Sequence, residues 1–403
     1  MPTVSELGRR LQLVHAAQWL SAAHGDPYAE ILLGYDDDPY SRYTAIRERG
    51  ELWRSRDGVW VTAHHRLGRE LLDHPALGRR GAQGSRWPQP VIQLERTVLC
   101  AERAEIDRLH EAGGPLLGAD IVDRYRSVAE DVCRRVLDGL GAEADLVTEV
   151  AEPIAVEVLA DLCNLSGPER ARLIENCRWG SPAQDSLLCP QQLAPTRRML
   201  AAIDELRVQF GAAASGPSAA NAGMLLALVG VRGAADLIAK AAFALLSHPW
   251  QWSKLAADPG QAVRAVTEAL RHDPPVHLAA LVARRDVELA RTLVPAGSQI
   301  VVLIGGANRD PEVFPEPASF ELDRSTGQGL PPCPGSALEV VAPFSTTVAE
   351  VALRALASWF PRLSRSSPEL RRRRAPVTRG LLHLPVDTGI SARTDRSPEA
   401  RHR

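Results

Sequence analysis

The run Ala307-Asn308-Arg309-Asp310-Pro311-Glu312-Val313-Phe314-Pro315-Glu316-Pro317, continuing to Phe320 and Arg324, is the most specific stretch of this chain. It opens a Pro- and Gly-rich passage from Asp310 to Pro343, where no long regular helix is expected. Upstream, strand-like runs lie at Val287–Leu289 and Gln299–Ile304. Before them a helix covers Ala262–His272 and stops at Asp273-Pro274-Pro275, because proline disfavours helix in the residue before it. Downstream, a strong helix is expected over Val348–Phe360.

Farther out, helical periodicity dominates. From Ile121 to about Leu255 the chain reads as successive helices, with breaks at Gly139–Ala142, Ser166–Pro168, Gly180–Pro182 and Ala212–Asn221. Two short strand-like runs, Leu52–Arg54 and Val59–Thr62, flank Asp57-Gly58, a hairpin signal. At the start, Leu7, Leu11 and Val14 recur at helical spacing beside Leu13, Ala16, Ala17 and Leu20, which predicts an N-terminal helix with a broad apolar face. No repeat or composition shift marks a boundary, so residues 1–390 are expected to form one domain, with a disordered tail over 391–403.

Bulk properties exclude several functions. The 403 residues carry a net charge of −2, which gives the whole molecule no electrostatic reason to seek nucleic acid or acidic membranes. The run Arg371–Arg374 is therefore expected to be a solvated one. The densest apolar run, Met224–Val231, breaks at Arg232, short of the ~20 residues of a membrane span. Met1–Arg10 lacks the apolar core of a signal peptide, so a cytoplasmic protein is expected. The six cysteines, at 100, 133, 163, 177, 189 and 333, show no C-x-x-C pair and are expected to be reduced.

No catalytic motif of the hydrolase, phosphate-loop or dinucleotide type is present. His64-His65 has no evident third metal ligand, and Asp36-Asp37-Asp38 lacks the spacing and glycine of a calcium loop. No metal is expected.

Several segments, in the right order, resemble the bacterial cytochrome P-450 family. Glu268-Ala269-Leu270-Arg271 matches the E-x-x-R helix motif, and Ala307–Pro317 looks like the segment leading to the heme loop. Ala349-Glu350-Val351-Ala352-Leu353-Arg354-Ala355-Leu356 looks like the helix after that loop, and Arg379-Gly380-Leu381 with Leu384-Pro385-Val386 resembles the C-terminal strands. The resemblance implies a mainly α, multihelical fold with small β-sheets. It also implies a structural role for Glu268, Arg271, Asn308 and Arg309, which pair with one another in the family.

The same resemblance implies that heme chemistry is missing. Family members hold heme iron through a cysteine thiolate, which helps to cleave dioxygen. Counting without gaps, forward from Arg324 and back from Ala349, the ligand position falls on Glu339. A rival is Cys333, because Gly329 through Gly335 keeps a G-x-x-x-C-x-G skeleton, displaced by six residues. On the central helix, the family's proton-delivering acid and threonine fall on Arg232 and Gly233, which cannot relay a proton. The heme-propionate positions fall on Ile106, Arg108, His110 and Leu281, leaving one clear cation. Heme is not expected, nor is any other cofactor, and Arg232 would need water or a partner such as Glu339.

Within the fold, Glu6–Leu13 and Ala16-Ala17-Gln18-Trp19 are similar to the heme-less auxiliary proteins that accompany antibiotic glycosyltransferases of macrolide and anthracycline pathways. That resemblance implies a non-catalytic partner which binds, stabilises and activates a transferase of nucleotide-activated deoxysugars. Residues 1–24 are a candidate contact, through Leu7, Leu11 and Trp19. Two alternatives stay open at this stage: a heme-thiolate monooxygenase using Cys333, and a small-molecule binding protein using a vacated heme cavity.

Overall fold

The computed structural model describes residues 3–35, 37–80, 98–112, 114–117, 121–213, 216–324, 329–330 and 336–390. Cys333 and the tail over 391–403 lie outside the described residues.

Helices form the bulk of the chain, and one of them organises the rest. The central helix runs continuously over Pro217–Ser247, with a wider turn at Leu226–Gly230. Its residues Val231 to Leu246 are almost all buried. Around it pack Glu152–Leu162, Ala262–His272 and the long C-terminal helix Ala337–Trp359, and Ile121–Asp138 packs against that last helix and Glu152–Leu162. Leucine, valine and alanine from these elements make one large core.

The strands form small sheets at the periphery. The largest has five strands in the order Trp53–Arg54, Trp60–Thr62, Gln299–Leu303, Leu278–Ala283, Leu77–Gly78. The Asp57-Gly58 hairpin forms with Trp53 opposite Val61, and Gly58 takes the positive φ the turn needs (83°). Glu143–Asp145, Pro385–Asp387 and Ser364–Arg365 make a three-stranded antiparallel sheet, which ties the C-terminal region to the middle of the chain.

Three expectations need correction. The C-terminal helix begins at Ala337 and not at Val348, with Pro343 inside it. Ser336 caps the start by accepting from the Leu338 amide, and the helix continues through Pro343, in its second turn, at the loss of one i→i−4 backbone hydrogen bond. Thr292–Val294 is a strand paired with Val287–Leu289, absent from the sequence reading. Finally, Pro217–Ser247 and Ala337–Trp359 are both long and apolar enough to cross a membrane, but 94% and 67% of those windows are buried inside the fold. Arg232 does not break the apolar run, because its charge is neutralised within the same helix.

Candidate functional site

The E-x-x-R helix meets the Ala307–Pro317 segment through one buried cluster. Arg271 donates from Nε and Nη2 to the two Glu268 carboxylate oxygens at 2.9 and 2.7 Å. Its remaining hydrogen bonds go to the carbonyls of Asn308, Pro317 and Ser319. Glu268 also accepts from Arg324 Nε at 3.0 Å and from the Glu321 amide. Asn308 bridges the Leu270 carbonyl and the Leu330 amide, and Arg309 donates to the His272 carbonyl while lying 3.4 Å above the Tyr40 ring. Every donor of Arg271 is thus used, as a guanidinium exposed by only 1% requires.

Arg232 and Gly233 lie where the central helix faces the C-terminal helix and the segment Val377–Gly380. Arg232, Asp236 and Lys240 fall four residues apart, on one face of an otherwise apolar helix. Arg232 Nε donates to Asp236 Oδ2 at 2.7 Å, and its guanidinium stands 3.6 Å from Glu152. The charge is therefore met by Asp236 and not by Glu339. Gly380 is closed over this pair, and a Cβ there would overlap the Arg232 guanidinium and the Asp236 carboxylate. Lys240 donates to the carbonyls of Pro274 and Thr378 at 2.7 and 2.8 Å. Asp185 accepts from the amides of Val377 and Thr378 and from the Thr378 hydroxyl, which pins the same segment from the other side.

Asp273 lies below this cluster. Burial opposes its ionisation, but Lys240, the hydrogen bond from His277 and Arg371 together hold its carboxyl well below the usual carboxylate range. His277 is pushed down to about 3 by burial first and by Lys240 second, so it is neutral. Neutral His277 donates from Nε2 to Asp273 at 2.7 Å and accepts the Tyr43 hydroxyl at Nδ1, 3.1 Å away. The positions of Arg232, Asp236, Lys240 and Asp273 give this region the look of a reactive centre. Each group nevertheless has a charged or hydrogen-bonding partner within the fold, although Arg232 Nη2, 2.6 Å from Asp236 Oδ1, makes no well-aligned hydrogen bond.

The resemblance places a porphyrin between Gly230–Gly233 and the start of the C-terminal helix, and there the two helices touch. Ser345 Oγ donates to the Gly230 carbonyl at 3.1 Å. A Cβ on Gly233 would lie 2.9 Å from Ser345 Oγ, and one on Gly230 would lie 3.2 Å from Phe344 Cδ1. Phe344 is fully buried, with Tyr125 edge-on to it at 5.3 Å between ring centres. Among the described residues, the central and C-terminal helices pack directly against each other at this point.

The other positions named by the resemblance lie apart from one another among the described residues. Glu339 lies in the first turn of the C-terminal helix and is exposed. Ile106 and Leu281 are buried in two separate apolar clusters, while Arg108 and His110 face solvent. These residues do not converge on one anion. Among the described residues, Cys100, Cys133, Cys163, Cys177 and Cys189 form no disulfide, and burial pushes the Cys133 and Cys189 thiols up to about 12. His64 does approach Asp310 and Glu312, contrary to the expectation that no third ligand is near. Asp310, however, is engaged by the His65 and Glu312 amides.

The N-terminal contact also needs correction. Leu7 and Leu11 belong to the protein's own core, because that face of the helix Val4–Ala23 packs inward, with Gln18 and His15 bonded to the carbonyls of Leu188 and Pro190. Trp19 is exposed. The large apolar side chains left outside on this helix are Leu13 and Leu20, together with Val4 and Trp19.

Comparison with known proteins agrees with this geometry. A cytochrome P450 family model matches residues 262–328, the E-x-x-R helix and the segment it binds. The chain is 38% identical to Protein DesVIII of Streptomyces venezuelae over 95% of its own length and 94% of that protein's. It is 35% identical to Protein AknT of Streptomyces galilaeus, covering 96% of each. The fold matches ligand-free CYP164A2 of Mycobacterium smegmatis with a TM-score of 0.77 at 24% identity, covering 90% of this chain and 99% of that one. The chain belongs to the cytochrome P450 family, and within it to the group that contains DesVIII and AknT.

Proposed function

We infer that this chain is a non-catalytic auxiliary protein, which binds, stabilises and activates a glycosyltransferase that moves a nucleotide-activated deoxysugar to a polyketide aglycone. DesVIII and AknT are P450-like auxiliary proteins of antibiotic glycosyltransferases, and the chain aligns with both over nearly its whole length. The observation that carries the non-catalytic part is the direct contact of Ser345 with Gly230 and Gly233 where an oxidase would need its porphyrin. Glu339 as the former ligand position, and Arg232 with Gly233 as the former oxygen-activating pair, belong to the same reading. The protein acts in the cytoplasm and needs no heme.

A partner of this kind works by differential affinity. It raises the fraction of competent transferase only as far as it binds that state more tightly than the others. It also protects the transferase from unfolding, by roughly 2.7 kcal/mol when present at about a hundred times its dissociation constant.

The test is co-expression with the glycosyltransferase of the same biosynthetic cluster, followed by sugar-transfer assays with and without this chain. Transfer that requires the chain supports the reading. Equal transfer by the transferase alone, at equal soluble yield, overturns it.

A further inference from the structure

The helix Val4–Ala23 has two apolar faces. At 100° per residue, Leu7, Leu11, Val14, Gln18 and Ser21 point one way, into the protein. Leu13, Ala16 and Leu20 point roughly 120–180° away from that face, with Ala17 at the edge of their arc, and all four are exposed. Leu13 and Leu20 expose 63% and 62% of their surface. A helix needs only one apolar face to pack on its own domain. The outer face contributes nothing to this fold, and water penalises it. Scattered exposed leucines are ordinary on a protein surface, but a stripe at helical spacing opposite a fully used inner face is not.

We propose that the outer face, Leu13-Ala16-Ala17-Leu20, is the docking surface for the glycosyltransferase, which meets it with an apolar groove carrying a carboxylate at one end. The proposal rests on the transferase-partner reading and adds the surface to it.

Charge and size argue for this occupant. Arg9 continues the stripe one turn before Leu13, is exposed, and makes no ion pair among the described residues. Arg10, beside it, is paired with Glu6. An arginine left over at one end of an apolar stripe calls for a carboxylate on the partner. A twenty-residue helix is about 30 Å long, enough to cross a groove but short of the roughly 800 Å² per partner of a stable interface. Trp19 and Tyr35 extend the surface from the helix flank; both are exposed, and their rings lie 6.1 Å apart. Tryptophan, tyrosine and arginine are the residue types that anchor protein interfaces. Ala16 and Ala17, between the two leucines, let a partner's backbone come close.

The experiment uses the full chain and the transferase of the same cluster. Leu13→Glu/Leu20→Glu is compared with the unaltered chain for affinity by titration calorimetry, for transferase activation, and for mass by light scattering. Both leucines are mostly outside, so the variant is expected to keep its circular dichroism and melting temperature. Ala17→Glu provides an independent second probe of the same face. The expected result is binding weakened by roughly tenfold or more, because carboxylates would be desolvated without partners, and activation lost in parallel. Equal binding by a folded variant overturns this surface while leaving the transferase reading intact. No binding by the unaltered chain overturns that reading and the surface with it. If the unaltered chain alone is a dimer that the substitutions convert to a monomer, the face belongs to a second copy and the proposal fails.

Discussion

Ser345 Oγ donates to the Gly230 carbonyl at 3.1 Å, which fixes the C-terminal helix against the central helix where the resemblance would place a porphyrin face. The contact depends on two glycines. Gly230 leaves room for Phe344, and Gly233 leaves room for the Ser345 hydroxyl. The absence of a side chain at 233 is what lets the helices close here.

Gly233→Ala and Ser345→Ala are therefore expected to be coupled. With Ser345 present, the added methyl meets Oγ at 2.9 Å, and overpacking of this kind costs about 1–3 kcal/mol, partly offset by about 1 kcal/mol of helix propensity. With alanine at 345 the nearest contact becomes the Cβ at 3.6 Å, an ordinary distance, and Gly233→Ala becomes neutral or stabilising. A double-mutant cycle by urea unfolding checks this. Additive effects would refute the packing described.

Arg271→Ala is expected to destabilise by roughly 3–5 kcal/mol, since it leaves Glu268 buried beside Arg324 alone and removes three carbonyl contacts. Arg271→Lys should recover only part of this, because an ammonium cannot grip both carboxylate oxygens in parallel. Denaturant midpoints measure both.

Gly380→Ala is expected to damage the Arg232–Asp236 pair, which occupies the space a Cβ needs. In the background Arg232→Met/Asp236→Leu, where neither member of the pair remains and Glu152 keeps Arg372, the same substitution should cost clearly less. Thermal unfolding of the four proteins gives the comparison.

Stability should fall on acidification from about pH 6.5 toward 3. Burial first, then nearby cations, lower His272 and His277 to about 3 in the folded protein, while in the unfolded chain both titrate near 6.5. Below that pH the unfolded state binds protons that the folded state does not, so each histidine contributes stability that is present at neutral pH and lost through this window. Asp273, held well below its usual range, loses its contribution only at the acid end, as pH falls through its folded value. His277→Gln should flatten the pH dependence of the unfolding free energy by about one proton. An unchanged slope would show that His277 is not buried in neutral form.

Much of this was legible in the sequence because local rules agreed with the fold. Asp57-Gly58 gave its hairpin, Asp273-Pro274-Pro275 ended its helix, and Glu268 with Arg271 met the segment after Ala307. The failures have physical causes. The strand Thr292–Val294 was hidden because its turn uses Ala290 and Arg291 at positive φ, where asparagine and glycine are the usual signal. Pro343 concealed eleven residues of the C-terminal helix. Asp236 could have been found as the partner of Arg232, because the two stand four residues apart on one helix. Leu7 and Leu11 were assigned to a partner because periodicity reveals that a face is apolar but not what covers it.

The most direct test of the account is the visible spectrum of the full chain, purified from cells supplied with a heme precursor and titrated afterwards with hemin. Colourless protein is expected, with no Soret band in proportion to protein and no shift on reduction under carbon monoxide. A stoichiometric porphyrin with the carbon-monoxide shift of a thiolate-ligated iron would contradict it.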